Sequence, residues 1–451
     1  MSDDMLQKMQ TLAAQALEAA RKAGAEAADV LVTGGESVEV DVREGALEHL
    51  ERSDGMSLGL RVLMGQRQAV VSVGDPEHMN LLDAAERAVA MARAAPEDPH
   101  IGLADASMLA REWPDLDLED TGGLPDAETL KERALAAEEA ALAVKGVAKS
   151  VGAGASASRG LVFLAASNGF AGGYARTGFG ISAAVIAGAG ADMQRDYAYD
   201  SQTHLADLRT PEDIGREAGE RAVQRMNPRK PESLAGAPVI FDQRIAGSIA
   251  GHLASAINGR TVARGASFLK DSLGERIMPE GMTVVDDARM PRGAASRPFD
   301  GEGLPTARLN VVEDGVLQAW LLDLASARQL GLNSNAHARR SLTAPPSPGA
   351  SNFHIANGSA SREELIGSVK QGLLVTELIG MGVNTVTGDY SRGASGLWIE
   401  NGEIAGAVSE LTIAANLKDM LRNITAADDL RFVGATNAPT LMIEGMTIAG
   451  Q

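Results

Sequence analysis

Cysteine is absent from the 451 residues. That excludes disulfides, thiolate nucleophiles, iron–sulfur clusters and cysteine-based zinc sites in one step. Aromatic residues make up only 3%, so the core has to be built from Ala, Val, Leu and Ile. No window approaches 18 uninterrupted apolar residues, and no segment is expected to span a membrane. The opening residues, MSDDMLQKMQ, are acidic and amphipathic and lack the basic and apolar regions of a secretion signal, which predicts a cytoplasmic protein. Basic charge is also scarce. The 41 Lys and Arg are outnumbered by 60 Asp and Glu, a formal net charge of −19, which argues against a nucleic-acid surface because phosphates need clustered cations. Neither G-x-x-x-x-G-K-[ST] nor G-x-G-x-x-G occurs, so phosphate loops of those kinds are excluded.

What the chain has in quantity is glycine, 50 residues, implying many tight turns and close backbone approaches. Helical spacing of Leu6, Met9, Leu12, Ala13 and Leu17 predicts a first helix stopping at Gly24. Short alternating runs from ADVLVTG to RQAVVSVG predict an antiparallel meander. A second helix is expected to open at Pro76 and Glu77. A third, PDAETLKERALAAEEAALAV, is read with Glu132 and Glu138 on a solvated face. Two strands follow, joined at Ser167-Asn168-Gly169, and then the helix PEDIGREAGERAVQRM. The proline- and charge-rich stretch 227–238 suits a linker. Beyond it, Asp314-Gly315, Asn357-Gly358 and Asn401-Gly402 mark hairpin turns, and Ser361 with Glu364 forms a capping box. The fold class is therefore α+β: an N-terminal α/β domain over 1–226, the linker, and a β-rich domain over 239–451.

Few constellations carry chemistry. The seven histidines are His49, His78, His100, His204, His252, His337 and His354. No two lie within five residues and none precedes a glutamate, so the zinc pattern with two histidines on one helix face is missing. GMSLG at 55–59 matches G-x-S-x-G, but strand periodicity on both sides argues against a nucleophile elbow. His252, in the helix GSIAGHLASAINGRTVARG, stands alone among Ala, Ile, Leu and Ser. Ser255, three residues on, could meet it on one helix face. The densest polar cluster spans 382–406, with Asn384, Thr387, Asp389, Tyr390, Arg392, Glu400 and Asn401. Two readings stand for it: a ledge that binds extended peptide or another ligand, or a glycine-rich β-turn in which Asp389 and Arg392 pair to hold a loop.

VTGDYSRGASGLWIENGEI and VSELTIAANLKDML resemble the PmbA/TldE family, also described as modulators of DNA gyrase. REGALEHLERSDGMSLGLRVLMGQRQAVVS and APVIFDQRIAGSIAGHLASAINGRTVARGASFL are similar to it as well. The likeness runs from about residue 30 to the end. It implies an N-terminal α/β domain, a C-terminal β-barrel-like domain and a place in a cytoplasmic metalloprotease superfamily. In that superfamily a TldD-type subunit carries His-Glu-x-x-x-His and a later cysteine ligand. The resemblance implies that the PmbA/TldE type pairs with it in trimming unfolded peptides, including microcin precursors and an antitoxin.

Aligning ARGASFL with the TldD-type RGTSVF puts the zinc triplet at Ala250, Gly251 and Ser255, none of which ligates zinc or serves as general base. No metal or other cofactor is then expected in this chain, zinc belonging to a TldD-type partner. The first expectation is a metal-free subunit that forms a heterodimer with a TldD-type chain, or a homodimer, and takes unfolded peptides. Alternatives are a homo-oligomeric regulator acting directly on DNA gyrase, and an autonomous hydrolase using His252 with Ser255.

Overall fold

The computed structural model describes residues 2–190 and 193–450. The first half runs α1 (Ser2–Lys22), β1 (Ala27–Arg43), β2 (Ala46–Met64), β3 (Arg67–Val73), α2 (Leu81–Ala94), α3 (Ala127–Leu142), β4 (Val147–Ala166), β5 (Ala171–Ala187), β6 (Gln194–Gln202) and α4 (Pro211–Gln224). Its strands form one antiparallel sheet in the order β3-β2-β1-β4-β5-β6. Alternation places Val30 and Val32 of β1 in a cluster with Met9, Ala13 and Ala16 of α1 and Ala85 and Ala88 of α2. The same alternation places Val38 and Val40 against Leu130 and Ala134 of α3 and Ile214 and Ala218 of α4. Each such valine or leucine contributes about 1.5–3 kcal/mol on burial. Between the two clusters Gly35 pairs with Gly55 on one side and Gly160 on the other. Its φ of 150° and the nearby Arg159 carbonyl leave no room for a side chain.

The second half contains β7 (Leu234–Phe241), α5 (Gln243–Ala256), α6 (Gly259–Ala263), β8 (Val284–Asp287), β9 (Arg308–Glu313), β10 (Val316–Leu317), α7 (Leu324–Leu330), β11 (Ala338–Arg339), β12 (Ser347–Pro348) and β13 (Phe353–Ile355). It continues with α8 (Arg362–Ser368), β14 (Gln371–Ile379), β15 (Asp389–Glu400), β16 (Glu403–Asn416), α9 (Leu417–Arg422), β17 (Ile424–Ala426), β18 (Thr436–Asn437) and β19 (Leu441–Ala449). Strands β16-β15-β14-β7-β19 form a ring closed by pairing of β16 with β19, and β17 lies on the edge of β19. Closure removes the open edges that a five-stranded sheet would leave. A second sheet follows the order β10-β9-β8-β13-β18. Val239 and Phe241 face a core shared with α5 and this second sheet, while Ile240 packs outward against Leu365 of α8. The mixed α+β class and the barrel are as expected.

Several local expectations change. Helix α2 starts at Leu81, because Asn80 caps it by accepting from the Leu82 N–H at 3.0 Å. Glu138 is buried, not solvated: its carboxylate accepts from the Glu44 and Gly45 N–H groups, both at 2.8 Å. Asn357-Gly358 makes no hairpin; the Asn357 side chain accepts from Leu430 N–H, the Gly358 N–H donates to Ala427 O, and the chain moves on into α8. The stretch expected as a linker, 227–238, is a connection only at its start, since β7 begins at Leu234.

Candidate functional site around helix α5

Asp242 starts α5, accepting from the Arg244 N–H at 3.2 Å. Arg221 of α4 and Arg362 of α8 hold the same carboxylate, at 3.4 and 3.0 Å, so both halves of the chain fix the start of this helix. Ala246, Ile249, Ala250, Leu253 and Ala256 recur at helical spacing and are buried in the core. The opposite face carries Arg244, Gly247, Ser248, Gly251, His252 and Ser255.

The three positions aligned with a zinc helix are placed differently from one another. Ala250 is fully buried and presents a methyl group to the core. Gly251 has open space where a Cβ would stand. The Ser255 hydroxyl donates to the Gly251 carbonyl at 2.9 Å, a bond within its own helix. His252 lies instead against Tyr390 of β15, ring centroids 5.9 Å apart and nearly perpendicular. Its Nε2 is buried without a partner. Burial, and then the nearby Arg392 charge, hold the imidazole below the usual histidine range. Burial pushes the Tyr390 phenol well up, and its hydroxyl likewise has no partner. Ser255 makes no hydrogen bond to His252.

The cluster at 382–406 separates into three places. Asn384, Thr387 and Asp389 hold one loop together. The Asn384 side chain accepts from the N–H groups of Val386 and Thr387, and Thr387 Oγ1 donates to Asp389 at 2.6 Å. Asn416 donates to the Thr387 carbonyl and to Asp389. These groups satisfy one another, as an Asx turn does. Tyr390 and Arg392 face α5. Glu400 stands at the far end of β15, paired with Arg229 at 2.7 Å, and Asn401 (φ 54°) forms the β15–β16 turn with Gly402.

Beside Arg392 lies a cavity of about 500 Å³, whose lining includes Arg195 and Tyr197 of β6, Arg225 at the end of α4, Arg244 and Ser248 of α5, Thr376 and Glu377 of β14, and Arg392 itself. Only Arg392 was singled out from the sequence. The others are scattered across the two halves, and no spacing rule links them. One signal was available in part: Arg244, Ser248 and His252 follow an i, i+4, i+8 rhythm on the polar face.

Models of the PmbA/TldA metallopeptidase domain 1, central domain and C-terminal domain match residues 28–92, 121–226 and 235–450. The metalloprotease PmbA of Escherichia coli O157:H7 is 39% identical over 96% of this chain and 94% of its own. The crystal structure of a modulator of DNA gyrase from Bacteroides thetaiotaomicron superposes with a TM-score of 0.89 at 26% identity, covering 98% of both chains. TldE from Thermococcus kodakarensis shares the fold, with a TM-score of 0.84 at 21% identity over 97% of this chain and 100% of that one. The chain belongs to the PmbA/TldE family of the metallopeptidases.

A metallopeptidase family implies zinc, and the residues on α5 do not fit it. A methyl, a bare glycine and a hydroxyl committed to its own helix supply no imidazole or carboxylate for the metal or for a general base. Among the described residues no three His, Asp or Glu side chains are grouped so as to hold a metal ion, and none of the helices there is long and apolar enough to cross a membrane.

Proposed function

We propose that this chain is the non-catalytic subunit of a cytoplasmic TldD/TldE-like metalloprotease, pairing with a zinc-bearing TldD-type chain and helping to hold unfolded peptides for cleavage. The observation that carries the reading is α5 itself. It has a buried apolar face and a fixed start, and the positions that align with the TldD-type zinc motif carry Ala250, Gly251 and Ser255. The likeness to E. coli PmbA over nearly the whole chain supports the peptidase context.

The test is reconstitution. The purified chain is expected to leave an unfolded casein fragment intact and to support cleavage once a TldD-type subunit is added. Robust cleavage by the isolated chain would overturn the proposal. Direct action on gyrase is the competing reading, motivated by the description of the Bacteroides relative. Association with gyrase that persists after the TldD-type chain is removed would favour it.

A further inference from the structure

Five buried polar atoms without a partner gather on or opposite one face of α5: Arg244 Nε, Ser248 Oγ, His252 Nε2, Thr376 Oγ1 and Tyr390 Oη. Buried polar atoms are ordinarily paired, because leaving one bare costs about 1–3 kcal/mol. All five belong to groups that can donate. Arg244, Ser248 and Thr376 line the cavity of about 500 Å³, together with Arg195 and Arg392.

The charges there do not cancel. Asp196 accepts from Arg244 at 2.6 Å and from Arg225 at 3.3 Å. Burial alone would raise its carboxyl, but the Arg244 hydrogen bond and charge outweigh that and hold it low. Glu377 pairs with Arg225 and accepts from Ser395. Arg195 and Arg392 are left without an ion pair among the described residues; Arg392 has only a 3.4 Å hydrogen bond to the Ile379 carbonyl. On a chain of net charge −19, two uncommitted guanidinium groups over unpaired hydroxyls form a local site for negative charge. Tyr197, stacked on Tyr199 and 4.6 Å from the Arg244 guanidinium, gives the rim an exposed aromatic surface.

We infer that this cavity binds a peptide carboxylate, either a free C-terminus or an Asp or Glu side chain, gripped by Arg392 and Arg195 and received by the Ser248 and Thr376 hydroxyls. Planar guanidinium groups recognise carboxylates with two parallel donors, and a volume of about 500 Å³ accommodates one or two residues of extended chain. The inference rests on the peptide-handling role proposed above. It adds the chemistry by which this subunit would select or anchor its peptide.

Three fluorescent peptides of Gly, Ala and Ser decide it: one with a free C-terminus, its C-terminal amide, and the amide with a single internal Glu. Binding is measured by anisotropy on the full chain, alone and with a TldD-type subunit. The free acid or the Glu peptide, whichever supplies the carboxylate, is expected to bind at least about tenfold tighter than the plain amide, a difference of about 1.4 kcal/mol. Arg392→Gln should reduce that preference to under about threefold, since the charge-assisted contact is lost. Thr376→Val serves as the second variant, keeping the side-chain shape, and thermal unfolding confirms that both fold. Equal binding of all three peptides, or a preference that survives Arg392→Gln, overturns the carboxylate inference and leaves the peptide role standing. Binding of no peptide in either form overturns both.

Discussion

Glu138 shows how one side chain can tie an element down. It lies on α3, fully covered, and both its oxygens take backbone N–H groups of the β1–β2 turn, where Glu44 and Gly45 have φ of 53° and 75°. That turn geometry leaves its two amides facing outward, so the carboxylate replaces the water they would otherwise need. Removing it strips two charge-assisted hydrogen bonds. Glu138→Ala is expected to lower stability by about 2–3 kcal/mol, read from the urea midpoint, with Glu138→Gln intermediate. A midpoint unchanged by Glu138→Ala would mean that the turn is held by its own backbone. In the sequence Glu138 looked solvated, because helical periodicity reports which residues are apolar and not where a distant turn will dock. Arg392 was legible only as a candidate, sitting in a dense polar cluster. Its companions Arg195, Arg244, Ser248 and Thr376 were not, because only the fold brings them together.

At the scale of elements, the local code read well where it is strong. Asp314-Gly315 and Asn401-Gly402 do form hairpin turns with positive φ at both residues. The capping box at Ser361 and Glu364 is present with both of its bonds. Asn357-Gly358 carries the same dipeptide signal and fails, because its side-chain and backbone groups are claimed by residues 427–430. Glycine plays opposite parts in α5 and β15. Gly251 sits inside a helix with open space at its Cβ position, so Gly251→Ala is expected to raise stability by about 0.5–1 kcal/mol. Gly396 sits beside a register shift in β15, where an added Cβ would overlap the Leu374 carbonyl. Gly396→Ala is expected to cost more than about 2 kcal/mol by forcing β14 and β15 apart. Thermal unfolding of the two variants side by side checks both signs; a loss of stability in Gly251→Ala would show that the polar face of α5 has no room to spare.

Across the whole molecule, the two halves are joined by buried and half-buried ion pairs. Asp29 of the first sheet pairs with Arg61 and, at 3.1 Å, with Arg340 from the second half. Arg244 of the second half reaches the buried Asp196 of the first, and an exposed surface link, Arg292 with Asp117 and Asp207, adds to these. Removing one partner of such a pair leaves an uncompensated charge, so the seam is held in one arrangement, and the arginine-lined cavity lies along it. The sequence made the α+β class visible through its periodicities, and the resemblance brought in the barrel. The ring closure through β16 and β19 and the parallel neighbours β7 and β14 were not visible, since strand order is a property of contacts far apart in the chain. The same distance rule hides the cavity.

The proposed role turns on α5 aligning with the TldD-type zinc helix while lacking its ligands, and zinc content tests it most directly. The full-length chain is saturated with zinc, freed of loosely held ion and measured by elemental analysis, alongside a TldD-type subunit treated in the same way. The prediction is stoichiometric zinc in the TldD-type subunit and only a trace in this chain, because Ala250, Gly251 and Ser255 supply neither imidazole nor carboxylate. Stoichiometric zinc in this chain, lost in His252→Ala, would contradict the account and place the metal on the one histidine of α5.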